Sequence, residues 1–256
     1  MILEKAIKRA SKILKDNNIT SHELDAQIIL SDIMKISKEY VIINHKETIS
    51  DKTIKKFDSA IKRRVKREPV AYITGKKEFW SEDFIVNNKT LVPRPETELL
   101  IYKLITFFKH KRINILDIGT GTGCILLSLL KNLKLARGIG IDVSSKAIEV
   151  AKKNSRNLNL ANRSKFKNFN LNKFNFGKYN LIVSNPPYIR SSDIRKLSKD
   201  ILRYEPLDAL DGGVDGLDLI KKVIYKSTYL LKTEGRSLNS YNVTTSRYRF
   251  SVNTSV

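Results

Sequence analysis

Ile113-Asn114-Ile115-Leu116-Asp117-Ile118-Gly119-Thr120-Gly121-Thr122-Gly123 decides how this chain is organised. Its first half is apolar and rich in β-branched residues, the pattern of a buried strand. The strand runs directly into three alternate glycines, and Cys124-Ile125-Leu126-Leu127 begins a helix behind them. Glycine lets a backbone approach a ligand closely, and a helix N-terminus favours an anionic group. Further on, Gly138-Ile139-Gly140-Ile141 forms a second strand ending at Asp142, an acid suited to a pair of ribose hydroxyls. Ser144 is placed to cap the next helix, which carries Ala147, Ile148, Val150 and Ala151. Strands alternating with helices in this way specify an α/β domain with a parallel sheet.

A second apolar run, Tyr179-Asn180-Leu181-Ile182-Val183, leads into Ser184-Asn185-Pro186-Pro187-Tyr188. Two prolines cannot continue a ladder, so the strand stops at Asn185. An amide, a proline carbonyl and an aromatic ring are left at the carboxyl end of a central strand, where open α/β sheets bind ligands. The Asn185 side chain and the Pro186 backbone each offer a carbonyl acceptor. Two acceptors can grip both hydrogens of one NH₂ group and turn its lone pair towards an electrophile. Tyr188 can stack on a flat substrate. Orientation and exclusion of water would do most of the work, with no general base required. Taken alone, the Pro-Pro pair reads equally well as a plain strand terminator. The glycine loop upstream favours the chemical reading.

The glycine spacing is not the dinucleotide fingerprint, and no P-loop lysine follows it. An Asp on the strand before three alternate glycines suits S-adenosylmethionine. Asp117 would stand near its ammonium group, and Gly119 to Gly123 with the helix N-terminus near its carboxylate. Thr120 and Thr122 belong to the same cradle. A third strand near Lys165–Phe169 ends at Asn170-Leu171. There the Asn170 side-chain oxygen can accept from an adenine amino group.

The flanks are read more coarsely. Residues 2 to about 66 have helical periodicity, with Ile2, Leu3, Ala6, Ile7, Ala10, Ile13 and Leu14 leading. Glu4 and Asp16 interrupt the basic face, which favours a core helix over a targeting helix. Thr20 and Glu23 suggest a capping box, and Ser50 a further cap. The segment reads as a small bundle for docking a partner. Alternation over Glu78–Val86 suggests a β-hairpin. Leu91-Val92-Pro93-Arg94-Pro95-Glu96-Thr97-Glu98 fits either a rigid linker or a lid over the cofactor. With 1 cysteine no internal disulfide can form, and an intracellular, cytoplasmic setting is expected. The 3 histidines lack metal spacing, so no metal is expected, and no run is long enough to cross a membrane. The net charge of +22 permits a nucleic-acid partner, but it is spread through a chain rich in Lys, Asn and Ile. Compositional drift is the simpler account. Only Lys62-Arg63-Arg64-Val65-Lys66-Arg67 and Lys109-His110-Lys111-Arg112 cluster.

Together these pieces resemble the protein-(glutamine-N5) methyltransferases that act on peptide-chain release factors. The resemblance is carried by Arg67 to Ile73, Glu78-Phe79-Trp80, Pro93 to Glu98, Asp117 to Gly123, Asn185 to Tyr188 and Glu205-Pro206-Leu207. It reaches to about residue 235. It implies a class I S-adenosylmethionine-dependent, Rossmann-like methyltransferase domain of seven strands, preceded by a helical bundle and a hairpin linker. The organisation expected is 1–68 as a substrate-docking domain, 69–98 as hairpin and linker, and 99–256 as the methyltransferase domain. The implied substrate is the glutamine of the release factor's Gly-Gly-Gln loop. Gly119 to Gly123 and Asp142 would hold the cofactor, and Asn185, Pro186, Pro187 and Tyr188 the glutamine amide. A monomer is expected, with the release factor as partner and no stable nucleic-acid partner.

Two departures from the family pattern stand out. From about residue 236 the tail is rich in Thr, Ser and Arg with little apolar periodicity. It reads as a frameshifted or eroded terminus that would cost the sheet its last strands. Asn170 and Asn180 also stand where the family commonly has acids, which lowers the cofactor affinity expected. The alternatives are an adenine-N6 type nucleic-acid amino-methyltransferase, and an inactive remnant that still binds release factor.

Overall fold

The structure is a computed structural model that describes the backbone of residues 1–239, 244–245 and 248–249, and side chains through residue 232. The chain forms two compact units. One is Met1–Gly75 with Ser198–Tyr204; the other is Lys76–Leu197 with the chain from Glu205 onward.

The first unit is helical: α1 (Leu3–Asp16), α2 (His22–Met34), α3 (Lys38–Ile43), α4 (Asp51–Val65) and α5 (Val70–Thr74). Leu3, Ala6, Ala10 and Leu14 of α1 meet Ala26, Ile29 and Leu30 of α2 and Phe57, Ala60 and Ile61 of α4 in one core. This is the helical stripe read from the sequence. Ser50 caps α4 by accepting from the Thr53 N–H at 3.2 Å. The capping box at Thr20 and Glu23 does not form. Ser21 occupies the cap position of α2 without a capping bond, because its hydroxyl donates to Asp25 instead. Asp25 is itself tied to Arg64, whose guanidinium also reaches Asp200. The basic run at the end of α4 is largely spent internally. Arg63 pairs with Glu68, and Arg67 donates to the carbonyls of Asn17 and Asn18.

In the second unit β1 (Lys76–Phe79) and β2 (Glu82–Ile85) form the hairpin, and α6 (Thr97–Phe108) follows. The core alternates β3 (Asn114–Ile118), α7 (Cys124–Asn132), β4 (Arg137–Asp142), α8 (Ser145–Asn157), β5 (Ser164–Asn168) and β6 (Tyr179–Ser184). After the short α9 (Lys199–Tyr204), which belongs to the helical unit, come α10 (Asp218–Leu230) and β7 (Leu231–Asn239). The sheet order is β5-β4-β3-β6-β7, all parallel. Alternate residues feed opposite layers, as a two-residue period requires. Ile115, Leu181 and Val183 pack with α6, α7 and α8, whereas Leu116, Ile118 and Ile182 pack with α10.

This fold is the Rossmann-like class expected. The sheet has five strands among the described residues, against the seven implied by resemblance. The first part of the unusual tail is nevertheless built in: β7 pairs with β6 as far as Ser184 and Asn239, with an irregularity near Tyr179. A ladder is made of backbone groups and needs no apolar periodicity. Thr244–Thr245 pairs antiparallel with Tyr248–Arg249; the rest of the tail reading lies outside the described residues.

Candidate active site

Strand order reverses between β3 and β6: the chain leaves β3 towards β4 on one side and returns at β6 on the other. Ligands bind at such a switch point, beyond the carboxyl ends of the strands. The register aligns Ile118 with Ile141 and with Ser184, and the Ser184 hydroxyl donates to the Ile118 carbonyl at 2.8 Å. The glycine loop and Asn185 therefore leave the sheet side by side.

Between them lies a cavity of about 490 Å³, within the size range of small-molecule sites. Gly119, Thr120, Gly121, Thr122, Asp142, Leu171, Asn185, Pro186 and Pro187 line it. Asp117 lies behind the loop, while Gly123, Asn170 and Tyr188 are not part of the lining among the described residues.

The loop is held from below. The N–H groups of Gly119 and Thr120 both donate to the Ile141 carbonyl, at 2.9 and 3.0 Å. The Gly121 N–H donates to Asp142 Oδ2 and the Ser144 N–H to Oδ1, each at 2.9 Å. Asp142 thus shapes the glycine loop before meeting any ligand. A carboxylate oxygen accepts more than one bond, so both can still take a hydroxyl. Burial raises the Asp142 pKa, against the two N–H donors. Gly123 is needed for packing: its φ is +80°, and a Cβ would press on Leu127, Phe166 and Ala151 at 3.2–3.3 Å.

Asp117 is fully buried, and Thr120 Oγ1 donates to its Oδ2 at 2.6 Å. Its Oδ1 has no hydrogen-bond partner. Burial pushes the carboxyl up to about 7, opposed by the Thr120 hydroxyl and aided by the charge on Asp142. An unsatisfied buried acceptor of this kind suits a cationic group bound nearby. An orphaned carboxylate oxygen, a second carboxylate at a strand end and a glycine cradle fit the donor pattern of S-adenosylmethionine.

Residues that sequence reasoning left open or missed complete the wall. Lys89–Arg94 and Thr97 line the cavity, so that segment forms part of its wall. Arg94 Nη2 donates to both carboxylate oxygens of Glu205, at 2.8 and 2.9 Å. The pair clasps the Pro93–Pro95 segment to the loop whose Pro206, Asp208 and Ala209 also face the cavity. Phe169 lines the pocket too, braced edge-on by Phe174 and Phe176. Asn154 on α8 donates to the Thr122 and Ile85 carbonyls and accepts from the Ile85 N–H, tying the glycine loop to β2. Its signal was a lone amide on an apolar helix face.

The Asn170 side chain accepts from the Asn172 N–H and caps the short turn after β5. Asn180 accepts from the Asn114 N–H. It sits at the amino ends of β6 and β3, opposite the cavity, so its expected bearing on cofactor affinity falls away. Cys124 borders the cavity with its thiol pushed up by burial to about 12. It is a neutral packing residue at ordinary pH. No group of three or more His, Cys, Asp or Glu is placed to hold a metal among the described residues.

Comparison with known proteins accords with this geometry. A release factor glutamine methyltransferase from Buchnera aphidicola is 40% identical over 91% of this chain and 82% of its own length. This chain belongs to the release factor glutamine methyltransferase family. A second member, from Clostridium acetobutylicum, is 37% identical over 92% of this chain and 84% of its own length. Residues 5–75 match the family model described as PrmC N-terminal domain, and residues 95–206 the methyltransferase small domain. Among solved structures, a ribosomal protein L11 methylase from Lactobacillus delbrueckii aligns with a TM-score of 0.39 and 19% identity. It covers 57% of this chain and 59% of that one, a likeness too low to carry an argument. Membership in the release factor glutamine methyltransferase family does not favour the nucleic-acid alternative.

Proposed function

We infer that this protein transfers a methyl group from S-adenosylmethionine to the side-chain amide nitrogen of a release-factor glutamine. The observation that carries the reading is the meeting, at one switch point, of the Asp117–Gly123 loop, Asp142 and Asn185-Pro186-Pro187 around a single cavity.

S-adenosylmethionine supplies a methyl group made electrophilic by its sulfonium. Thr120, Gly121, Thr122 and Asp142 would hold it, with Asp142 suited to its ribose hydroxyls and Asp117 to its ammonium group, and Phe169 and Leu171 would pack against its base. Asn185 Oδ1 and the Pro186 carbonyl accept the two amide hydrogens of the glutamine. With both hydrogens held, the nitrogen would face the sulfonium methyl; as the nitrogen–methyl bond forms the sulfur–methyl bond breaks, S-adenosylhomocysteine leaves as a neutral thioether, and one amide proton passes to solvent. Two prolines make the acceptor pair rigid, so little orientation is lost between encounters. Tyr188 packs the amide plane. The Arg94–Glu205 clasp keeps the wall closed and water out.

The protein is proposed to act as a cytoplasmic monomer without a stable nucleic-acid partner. In support of the latter, the side chains of Arg63, Arg64 and Arg67 are engaged within their own unit. Among the described residues no helix is long and apolar enough to cross a membrane.

The test is incubation of the full chain with S-adenosylmethionine and unmodified release factor, followed by peptide mass spectrometry. The expected result is a gain of one methylene on the glutamine of the Gly-Gly-Gln loop. Cofactor binding with no such gain would point instead to an inactive remnant.

A further inference from the structure

The loop Asp211-Gly212-Gly213-Val214-Asp215-Gly216 carries no role in the site described so far, yet it is the most heavily built loop beside it. It lies along the chain that leaves Asn185. The Ile189 N–H donates to the Leu210 carbonyl, the Gly212 N–H to the Ile189 carbonyl at 2.8 Å, and the Ser191 N–H to the Gly213 carbonyl at 3.0 Å. The Ser191 hydroxyl donates to Asp211 Oδ1, which also accepts from the Gly213 N–H. Asp215 accepts from the Leu217 N–H and pairs with Lys221, and the Asp218 N–H returns to the Gly212 carbonyl.

Glycine is required here by contact as well as conformation. Gly216 has a φ of +76°, and a Cβ on it would stand 2.5 Å from the Tyr188 carbonyl oxygen. The loop therefore fixes the backbone of Tyr188 from one side.

What this framework presents is apolar. Val214 is 88% exposed at its tip, the most exposed large hydrophobic residue among the described residues. Tyr188, Leu207 and Leu217, on the segments bonded to this loop, are also exposed. A mobile surface loop gains nothing from a β-branched apolar tip, and a tip needed only for the turn would be polar. A loop bonded to the Tyr188–Ser191 chain that follows Asn185, and holding an apolar residue outward, is instead the construction of a contact surface.

We propose that the 211–216 loop is a substrate-docking edge, with Val214 packing against the glycine-bearing main chain of the release-factor loop while its glutamine enters between Asn185 and Tyr188. The occupant follows from continuity with the glutamine site. A segment rich in glycine offers bare backbone with no side chain of its own, and an exposed apolar tip can cover it. The proposal rests on the release-factor reading above.

The test is steady-state methylation of intact release factor by the wild type, Val214→Asp and Val214→Leu, with cofactor affinity measured by calorimetry. Val214→Asp should raise KM for release factor about tenfold, about 1.4 kcal/mol, while kcat at saturation, cofactor Kd and Tm stay within twofold or a degree of wild type. Val214→Leu should restore KM. An unchanged KM in Val214→Asp, with a wild type that does methylate release factor, overturns the docking edge alone. A Val214→Asp variant that loses kcat or cofactor affinity along with KM also overturns it, since the loop would then be merely structural. A wild type that leaves release factor unmodified but binds cofactor overturns the functional reading, and the docking edge with it.

Discussion

The two loops that meet at the switch point are built on different plans. The one after β3 is closed upon itself: its N–H groups end on Ile141, Asp142 and Thr120, and its one carboxylate with an open valence, Asp117, is buried behind it. The one after β6 carries two prolines, which donate nothing, and lines the cavity with Asn185, Pro186 and Pro187. Beyond Asn185 it is braced from outside by the 211–216 loop. A cofactor that is the same at every turnover suits a cradle made of backbone and completed before binding. A protein substrate that must enter and leave suits an open edge stiffened by proline and read by side chains. The contrast divides binding of cofactor from orientation of the amide.

The sharpest way to break that division is Asn185→Ala. It removes one of the two acceptors, and kcat should fall about 100-fold or more. Cofactor Kd from calorimetry should move less than about threefold, within the reach of one lost contact. Equal losses in both would merge the two loops into one functional unit.

Asp142→Ala attacks the other side. The lost carboxylate holds the Gly121 and Ser144 N–H groups and, in the proposed function, the cofactor's ribose, so cofactor affinity should fall about 10- to 100-fold, as expected for charged hydrogen bonds. The value of kcat at saturating cofactor should remain within about threefold, as expected where only uniform binding is removed. A kcat collapse would show that the glycine loop also sets amide geometry.

The smallest effect is a pH dependence, and it sharpens the role of Asp117. Its folded pKa, near 7, lies above the ordinary carboxylate value. In the free protein the ionised form is disfavoured, so this group costs no stability below about pH 4. The cost grows as pH rises from about 4 to 7 and is complete above that. Binding of a cationic ligand runs the other way. It favours the carboxylate, so cofactor Kd should tighten up to about tenfold between pH 6 and pH 8, with release of a fraction of a proton near pH 7. Asp117→Asn should flatten both profiles. Calorimetry in buffers of differing ionisation enthalpy reads the proton directly, and identical proton counts in wild type and variant would remove Asp117 from the cofactor's charged end.

Local features were legible where one neighbour decides them. Ser50 and Ser144 cap their helices as read, because a hydroxyl before a helix needs only the N–H three residues on. The capping box at Thr20 failed because Ser21 had a stronger partner in Asp25, itself held by an arginine 39 residues away. Asn180 stands where the family commonly has an acid, and its place at the amino end of β6 commits it to the Asn114 N–H. Val70–Thr74, inside the segment read as linker, is a helical turn closed by Gly75 in the left-handed region.

By itself the sequence determined the strand–glycine loop–helix unit, the stop at Asn185, the helical stripe of the first unit and the family resemblance. Each depends on residues within one strand or turn of one another. Only the tertiary structure decided that Lys89–Arg94 and Thr97 wall the cavity, that Arg94 is clasped to Glu205 across 111 residues, and that β7 joins the sheet despite its composition. It also decided that Val214 stands exposed on a loop bonded to the chain that follows Asn185. These rest on backbone ladders and on charge pairs brought together by the parallel crossovers, and neither leaves a periodic trace along the chain.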